Sequence, residues 1–306
     1  MLYGRTILDT LHERVGDEEQ LRDGPTEPGA VRAVWGRFIT RHGHTDGGSL
    51  GIYGTDGPTY SSNIDALQVG SDLYRSDSDS GRRDHAGVMA TYGVLDVNVD
   101  HNLLEQRLHA GTMKSHNYSI GGYWTHFEPD GAYLDAVAQY TWSHYRMTSV
   151  DFDLAHTRGT ALALSAEGGY PFALDERWRL EPQAQLTYQA IHIDNYDDPA
   201  SEIRYPSADS LVGRLGARLA RQGRYEGWLR FNLLHEFMGK LETQFSSDDG
   251  FVPFRASPPD TWWQVGGGFS FLLKDRLTPF AALRYERTFK GNSYSYSGRF
   301  GLRYNW

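Results

Sequence analysis

From Tyr294 to the end of the chain the side chains alternate strictly in character. Tyr294, Tyr296, Gly298, Phe300, Leu302, Tyr304 and Trp306 fall on one face of an extended strand, and Ser295, Ser297, Arg299, Gly301, Arg303 and Asn305 on the other. The same polarity returns along the sequence. Trp178, Leu180, Pro182, Ala184, Leu186 and Tyr188 oppose Arg179, Glu181, Gln183, Gln185, Thr187 and Gln189, and Leu134, Ala136, Ala138, Tyr140 and Trp142 oppose Asp135, Gln139, Thr141 and Ser143. Leu211, Leu215 and Leu219 oppose Arg214 and Arg218; Leu229, Phe231, Leu233 and Phe237 oppose Arg230, Asn232 and Glu236, although Trp228 interrupts the polar side. About twelve such segments begin near Val31, Asn63, His85, His116, Ala132, Thr157, Arg177, Asp209, Arg224, Thr261, Arg276 and Tyr294, most of them about ten residues or longer. Strands of globular proteins average about five or six residues, whereas tilted membrane strands need roughly nine to eleven. Length therefore favours the bilayer.

The polar faces favour it too. Glu167, Arg179, Glu181, Gln183, Arg214, Arg218, Arg230, Arg284, Glu286, Arg299 and Arg303 all lie opposite the apolar residues. In the dry core of a sandwich, each such charge would cost several kcal/mol unless fully paired. In a hydrated lumen they cost little. The expected fold is all-β: a 12-stranded antiparallel transmembrane β-barrel with these residues on the lumenal wall, holding it round as an ion-pair and hydrogen-bond lattice and keeping the passage polar.

Composition removes other classes. The 306 residues have a mean hydropathy of −0.56, and no stretch approaches the roughly 18 to 20 apolar residues of a spanning helix, so insertion has to be as a barrel. The absence of cysteine excludes disulfide scaffolds, thiol catalysis and thiolate metal sites. A net charge of −9 offers no basic stripe for nucleic acid.

One segment breaks the two-residue period. Over residues 2–21, Leu8, Leu11 and Val15 recur at helical spacing among Arg5, Asp9, His12, Glu13, Glu18 and Glu19, which predicts one helix with a thin apolar stripe. Such a stripe suits a polar channel, with Arg5, Asp9, Arg14, Asp17 or Glu18 meeting the lumenal charges. Gly24, Pro25, Pro28 and Gly29 then end it, dividing the chain into a pore helix and linker over residues 1–30 and a barrel over residues 31–306. Connections alternate between tight turns at residues 128–131, 174–176, 222–223 and 274–275 and long polar links at residues 42–62, 148–156, 193–208 and 239–259. Outer-membrane barrels separate periplasmic turns from external loops in this way. The connection over residues 76–84 is longer than the pattern predicts.

Shorter motifs carry less. Gly47, Ser49 and Gly51 spell the nucleophile-elbow string of serine hydrolases, but a Gly-rich loop running to Gly54, Gly57 and Pro58 replaces the helix that an elbow requires. Asp77, Asp79 and Gly81 hint at a calcium loop, yet Val88 stands where an EF-hand carries Glu, so a solvated turn is the expectation. His42 and His44 have no further ligand cluster in the sequence. Neither a metal, a cofactor nor a catalytic residue is expected.

Several stretches together resemble the C-terminal translocator domain of autotransporters, the type V secretion family of Gram-negative bacteria. They are Trp35-Gly36-Arg37, Leu180-Glu181-Pro182-Gln183-Ala184-Gln185, Gly213-Arg214-Leu215-Gly216, Leu233-Leu234-His235-Glu236-Phe237, Gly266-Gly267-Gly268 and Gly301-Leu302-Arg303-Tyr304-Asn305-Trp306, in order from about Val31 onward. The resemblance implies an integral outer-membrane barrel with the N-terminal helix inside the lumen and a secreted passenger joined ahead of Met1, where an export signal is also expected because none follows Met1. It further implies that Phe300, Leu302, Tyr304 and Trp306 are the signal read by the barrel assembly machinery, with periplasmic chaperones and outer-membrane lipid as the other partners. Some members cut off the passenger inside the barrel at an Asn near the helix start; this chain has no Asn before Asn63 and departs from that pattern. The implied function is passenger secretion and anchoring. The alternatives are a barrel enzyme, protease or phospholipase, acting at the rim, and a passive porin that leaves the helix unexplained.

Overall fold

The computed structural model describes residues 1–16, 33–47, 58–78, 80–103, 106–150, 155–198, 201–206, 208–223, 225–239, 241–256, 260–273 and 276–305. Two short helices, α1 (Leu2–Leu8) and α2 (Leu11–Val15), precede the strands. In chain order these are β1 (Ala33–Thr45), β2 (Thr59–Asp77), β3 (Arg83–Leu103), β4 (Gln106–Phe127), β5 (Tyr133–Ser149), β6 (Ala155–Gly169), β7 (Phe172–Ala173), β8 (Trp178–Ile193), β9 (Tyr196–Asp197), β10 (Glu202–Arg204), β11 (Ala208–Arg221), β12 (Tyr225–Glu236), β13 (Leu241–Ser247), β14 (Gly250–Ala256), β15 (Thr261–Phe271), β16 (Leu277–Thr288) and β17 (Ser293–Asn305).

Twelve of them, β1 to β6, β8, β11, β12 and β15 to β17, form a closed ring in which each pairs antiparallel with its neighbours. Closure joins the first strand to the last, with Ala33 opposite Asn305 and Thr45 opposite Ser293. Closing the sheet removes the unpaired edges that a bilayer cannot satisfy. The alternation sorts as the sequence requires: Phe38, Leu67, Ile120, Leu186, Leu215, Leu229, Leu283 and Phe300 stand exposed on the outer wall, while Arg37, Gln68, Glu181, Arg230 and Arg299 are buried on the inner one.

One end of the ring is closed by short connections. The strands flanking residues 76–84 run to Asp77 and resume at Arg83, which shortens this link to a tight turn in which Ser78 N donates to Arg82 O at 2.9 Å and Gly81 N to Ser78 O at 2.8 Å. Gly81 takes φ +82°, which a Cβ would disfavour. The apparent length in the sequence came from Ser76, Asp77, Arg83 and Asp84, polar residues that pair in the strands and extend the polar run beyond the turn itself.

The opposite end differs from expectation in two places. Two of the long links, over residues 193–208 and 239–259, are not irregular: β9, β10, β13 and β14 draw them into a four-stranded sheet above the ring. Their strands run for only two to seven residues, too short for an alternation to announce them. β4 also begins at Gln106, well before His116, and pairs with β3 along nearly its whole length, from Arg83 opposite Phe127 to Leu103 opposite Gln106. These outer turns of the β3–β4 hairpin are carried by backbone pairing and polar side chains, which apolar periodicity does not register.

Candidate functional site in the barrel lumen

The helices lie inside the ring, and they are two rather than one. The break falls at Asp9, at φ 60° and ψ −158°, a backbone conformation that glycine adopts far more readily than other residues, and Thr10, extended at φ −103° and ψ 164°. Asp and Thr both favour helix ends over helix interiors. The groups freed by the break are met by the wall. Leu11 N donates to Glu167 Oε2 at 3.1 Å, Arg37 Nη2 donates to Ile7 O at 2.7 Å, and Gln185 Nε2 donates to Asp9 O at 2.8 Å. Barrel side chains thus supply the caps that local sequence would otherwise provide.

Charge pins the same region. The Asp9 carboxylate is held by Arg299, by Arg284 at 3.0 Å and by Arg37 at 3.3 Å; Glu13 is held by Arg230 at 2.7 Å, with Arg299 at 3.4 Å and Arg284 at 3.6 Å. Two acids therefore sit among four arginines from β1, β12, β16 and β17. The opposite arrangement flanks them. Arg14 makes a two-pronged contact with Asp135 of β5 at 2.6 and 3.0 Å, His12 Nε2 lies 2.9 Å from Glu181 of β8, and Arg5 lies 3.7 Å from Glu286 of β16 while covering the Trp262 ring. Breaking a buried pair of this kind leaves a charge without compensation, which costs more than the pair contributes.

The two ends of the lumen are filled differently. Around α2, Leu8, Leu11 and Val15 pack with Trp35, Met89, Tyr123, Phe127, Tyr133, Val137 and Ala163, toward the end with short turns. A second polar knot joins the strands there: Arg303 donates to Asp72 Oδ2 at 2.9 Å, Tyr123 Oη to Asp72 Oδ1 at 2.5 Å, and Trp35 Nε1 to Tyr123 Oη at 3.1 Å, so β17, β2, β4 and β1 are tied together. Around α1, Tyr3 and Ile7 touch Ile39, Ile64, Ala66 and Leu95, and above them opens a vestibule of about 450 Å³ lined by Met1, Tyr3, Val97, Met113, Ile191 and Trp262.

The family model of the autotransporter beta-domain matches residues 34–284. The chain belongs to the autotransporter beta-domain family. It is 26% identical to the BmaC adhesin autotransporter of Brucella suis over 324 aligned positions, covering 98% of this chain and 9% of that protein. In three dimensions it is similar to the transport unit of AIDA-I from Escherichia coli (TM-score 0.77, 16% identity, 92% of each chain) and to the translocator domain of NalP from Neisseria meningitidis (TM-score 0.67, 17% identity, 94% of this chain and 93% of that one). The chain spans less than a third of the length of the curated relatives it matches.

As an autotransporter β-domain the chain is a bacterial outer-membrane barrel, so the short-turn end is periplasmic and the long-loop end external. Of the residues singled out in the sequence, Arg5 stands on α1 and Arg14 on α2 inside the ring, with Asp9 at the break between them; Asp17 and Glu18 lie outside the described residues. Glu167, Glu181, Gln183, Arg214, Arg218, Arg230, Arg299 and Arg303 are buried on the inner wall, and Arg179 is half-buried on the same face nearer the periplasmic turns. Gln183 bridges Glu181 and Arg214, and Arg218 faces the ring of Trp228, the residue that interrupts the polar alternation because its indole turns inward. Phe300, Leu302 and Tyr304 point outward on β17, and Trp306 lies outside the described residues.

The single expected helix over residues 2–21 is corrected to α1 and α2, and its apolar residues are packed against the wall: Tyr3, Ile7, Leu8, Leu11 and Val15 are all buried. Ser49 lies outside the described residues, as does Asp79. His42 and His44 contact Asn63 at 2.7 Å and Asp46 at 3.2 Å. Sequence reasoning missed Glu13, Arg37 and Asp72 as members of the buried network. Only Glu13 carried a signal, standing four residues from Asp9 on the helical face.

Proposed function

We propose that this barrel carries a passenger joined ahead of Met1 to the cell surface and then holds it there, with α1 and α2 as the last part of the path to remain in the lumen. The observation that carries this reading is direction. Met1 lines the external vestibule while Val15 packs at the periplasmic end, where β1 begins, so a segment preceding Met1 continues outward rather than back through the ring. Residues 1–30 then act as a plug and linker and residues 31–306 as the barrel. The outward-facing Phe300, Leu302 and Tyr304, followed by Trp306, are the stretch offered to the barrel assembly machinery after delivery by periplasmic chaperones.

The test is to join a compact reporter ahead of Met1, behind an export signal, and to treat intact cells with protease. Cleavage of the reporter from whole cells, with the barrel heat-modifiable in the membrane fraction, supports the reading. A reporter protected in intact cells although the barrel is inserted overturns it.

A further inference from the structure

Among the described residues, the outer wall carries a basic patch that the lumen does not explain. On β4, β5 and β6 the outward residues pair directly across strands in two rows: His116 opposite His144, which is opposite Arg158; and Lys114 opposite Arg146, which is opposite His156. All six are exposed. Strand spacing of about 4.8 Å and a two-residue rise of about 6.7 Å put both rows within roughly 10 Å of one another. The height of the patch is set by its neighbours. Directly below it, Tyr92, Tyr118 and Trp142 form an exposed aromatic row, with the Tyr92 hydroxyl 2.9 Å from His116 Nδ1 and the Tyr118 and His144 rings edge to face. Leu134, Ala136, Ala138, Tyr140 and Trp142 run up the outer wall of β5 from the periplasmic end, and His144 follows, after about the nine to eleven residues that a tilted strand needs to cross. Interfacial aromatics mark the boundary between acyl chains and headgroups, so the cations stand at headgroup level on the external side.

Acidic groups on the described strands touch only its margins: Asp96 lies 3.3 Å from Lys114, and Asp194 follows β8 beside Arg158. Cations fixed by strand register at the depth of lipid phosphates, on a protein whose net charge is −9, are the chemical complement of a phosphorylated lipid. We infer that the β4–β6 face binds the phosphates of a phosphorylated glycolipid of the outer leaflet, with Lys114, Arg146 and Arg158 as the charge-bearing contacts, the three histidines as hydrogen-bonding neighbours and the aromatic row against the acyl chains. The inference rests on membrane orientation and not on passenger transport.

The experiment measures binding by native mass spectrometry of the full chain in detergent, with bisphosphorylated lipid A, its dephosphorylated form, phosphatidylglycerol and inorganic phosphate as probes. Bisphosphorylated lipid A is expected to bind, and the other three to bind weakly or not at all. Replacing Lys114, Arg146 and Arg158 together by Gln is expected to weaken lipid A binding by at least roughly tenfold, whereas Arg82→Gln, in a periplasmic turn, leaves it unchanged. Equal binding of the dephosphorylated lipid or of phosphatidylglycerol, or an unaltered triple variant that still migrates as a folded, heat-modifiable band, overturns the inference. If the triple variant does not fold, the wild-type ratio of phosphorylated to dephosphorylated binding decides alone: a ratio near one overturns it and a ratio of ten or more, on the order expected from two or three charge contacts, upholds it.

Discussion

The periplasmic and external halves of the lumen are lined by the same twelve strands, yet they hold the helices in different ways. Around α2 the wall and the helix are locked by Arg14 with Asp135, His12 with Glu181, and Glu13 with Arg230, over an apolar cluster built on Trp35, Tyr123 and Tyr133. Around α1 the contacts are more apolar, Arg5 is partly exposed and the space above Tyr3 is open. The difference teaches that the plug is anchored from below. A chain leaving outward would pass through the loosely filled half last, where fewer charges need to be parted.

Removing residues 1–16 gives the largest expected change. Planar-bilayer conductance of the shortened barrel should rise well above that of the intact chain, and equal conductance would mean that the helices do not set the resistance. Next comes Asp135→Ala, which leaves Arg14 buried without its carboxylate and should cost about 3–5 kcal/mol, read as a lower midpoint for loss of the compact band on heating. The Arg5 counterpart, Arg5→Gln, should cost less, because Arg5 is about a quarter exposed and Glu286 keeps Arg284 and Arg41 as partners. Equal costs would erase the contrast between the two halves.

Gly70→Ala probes the lower half from the strand side. A Cβ at Gly70 would run into the Trp35 indole, itself held by Tyr123, so the substitution should cost about 1–3 kcal/mol in the same heating assay. Met113→Ala, in the open vestibule, should change stability by about 1 kcal/mol or less.

The smallest effect lies outside the lumen. Arg82, hydrogen-bonded to Glu128 at 2.9 Å, and then His126, hold the Glu128 carboxyl below its ordinary value of 4.5. Because the folded value is the lower one, the stabilisation is complete above 4.5 and is lost as the pH falls through the folded value. Arg82→Gln should therefore flatten the acid limb of the heating midpoint slightly without altering the midpoint's response to Asp135→Ala.

The fold was largely legible because a barrel wall separates its environments side chain by side chain. Leu180 and Glu181 differ by one position and face lipid and lumen, and that contrast survives in sequence. The plug was legible only in part. Leu8, Leu11 and Val15 announced a helix, but little beyond the helix-end preference of Asp9 and Thr10 announced its break, because the link is satisfied by Arg37, Gln185 and Glu167 from strands far along the chain. The sheet of β9, β10, β13 and β14 was hidden for a related reason, since β10 of one loop finds its second partner, β13, in the other. Glu286 and Arg284 could be placed on the inner wall by parity alone, whereas their meeting with Arg5 and Asp9 depended on how deep the helices sit.

Asp9 is gripped by Arg37 of the first barrel strand and Arg299 of the last. Those two arginines become neighbours only when the first and last strands zip together, with Arg37 opposite Gly301 and Arg299 opposite Ile39. Closure of the ring and the bend of the plug are therefore coupled: parting the seam would move Arg37 away from Arg299 and take from Asp9 part of its clamp, so the bent plug favours the closed ring over an open one.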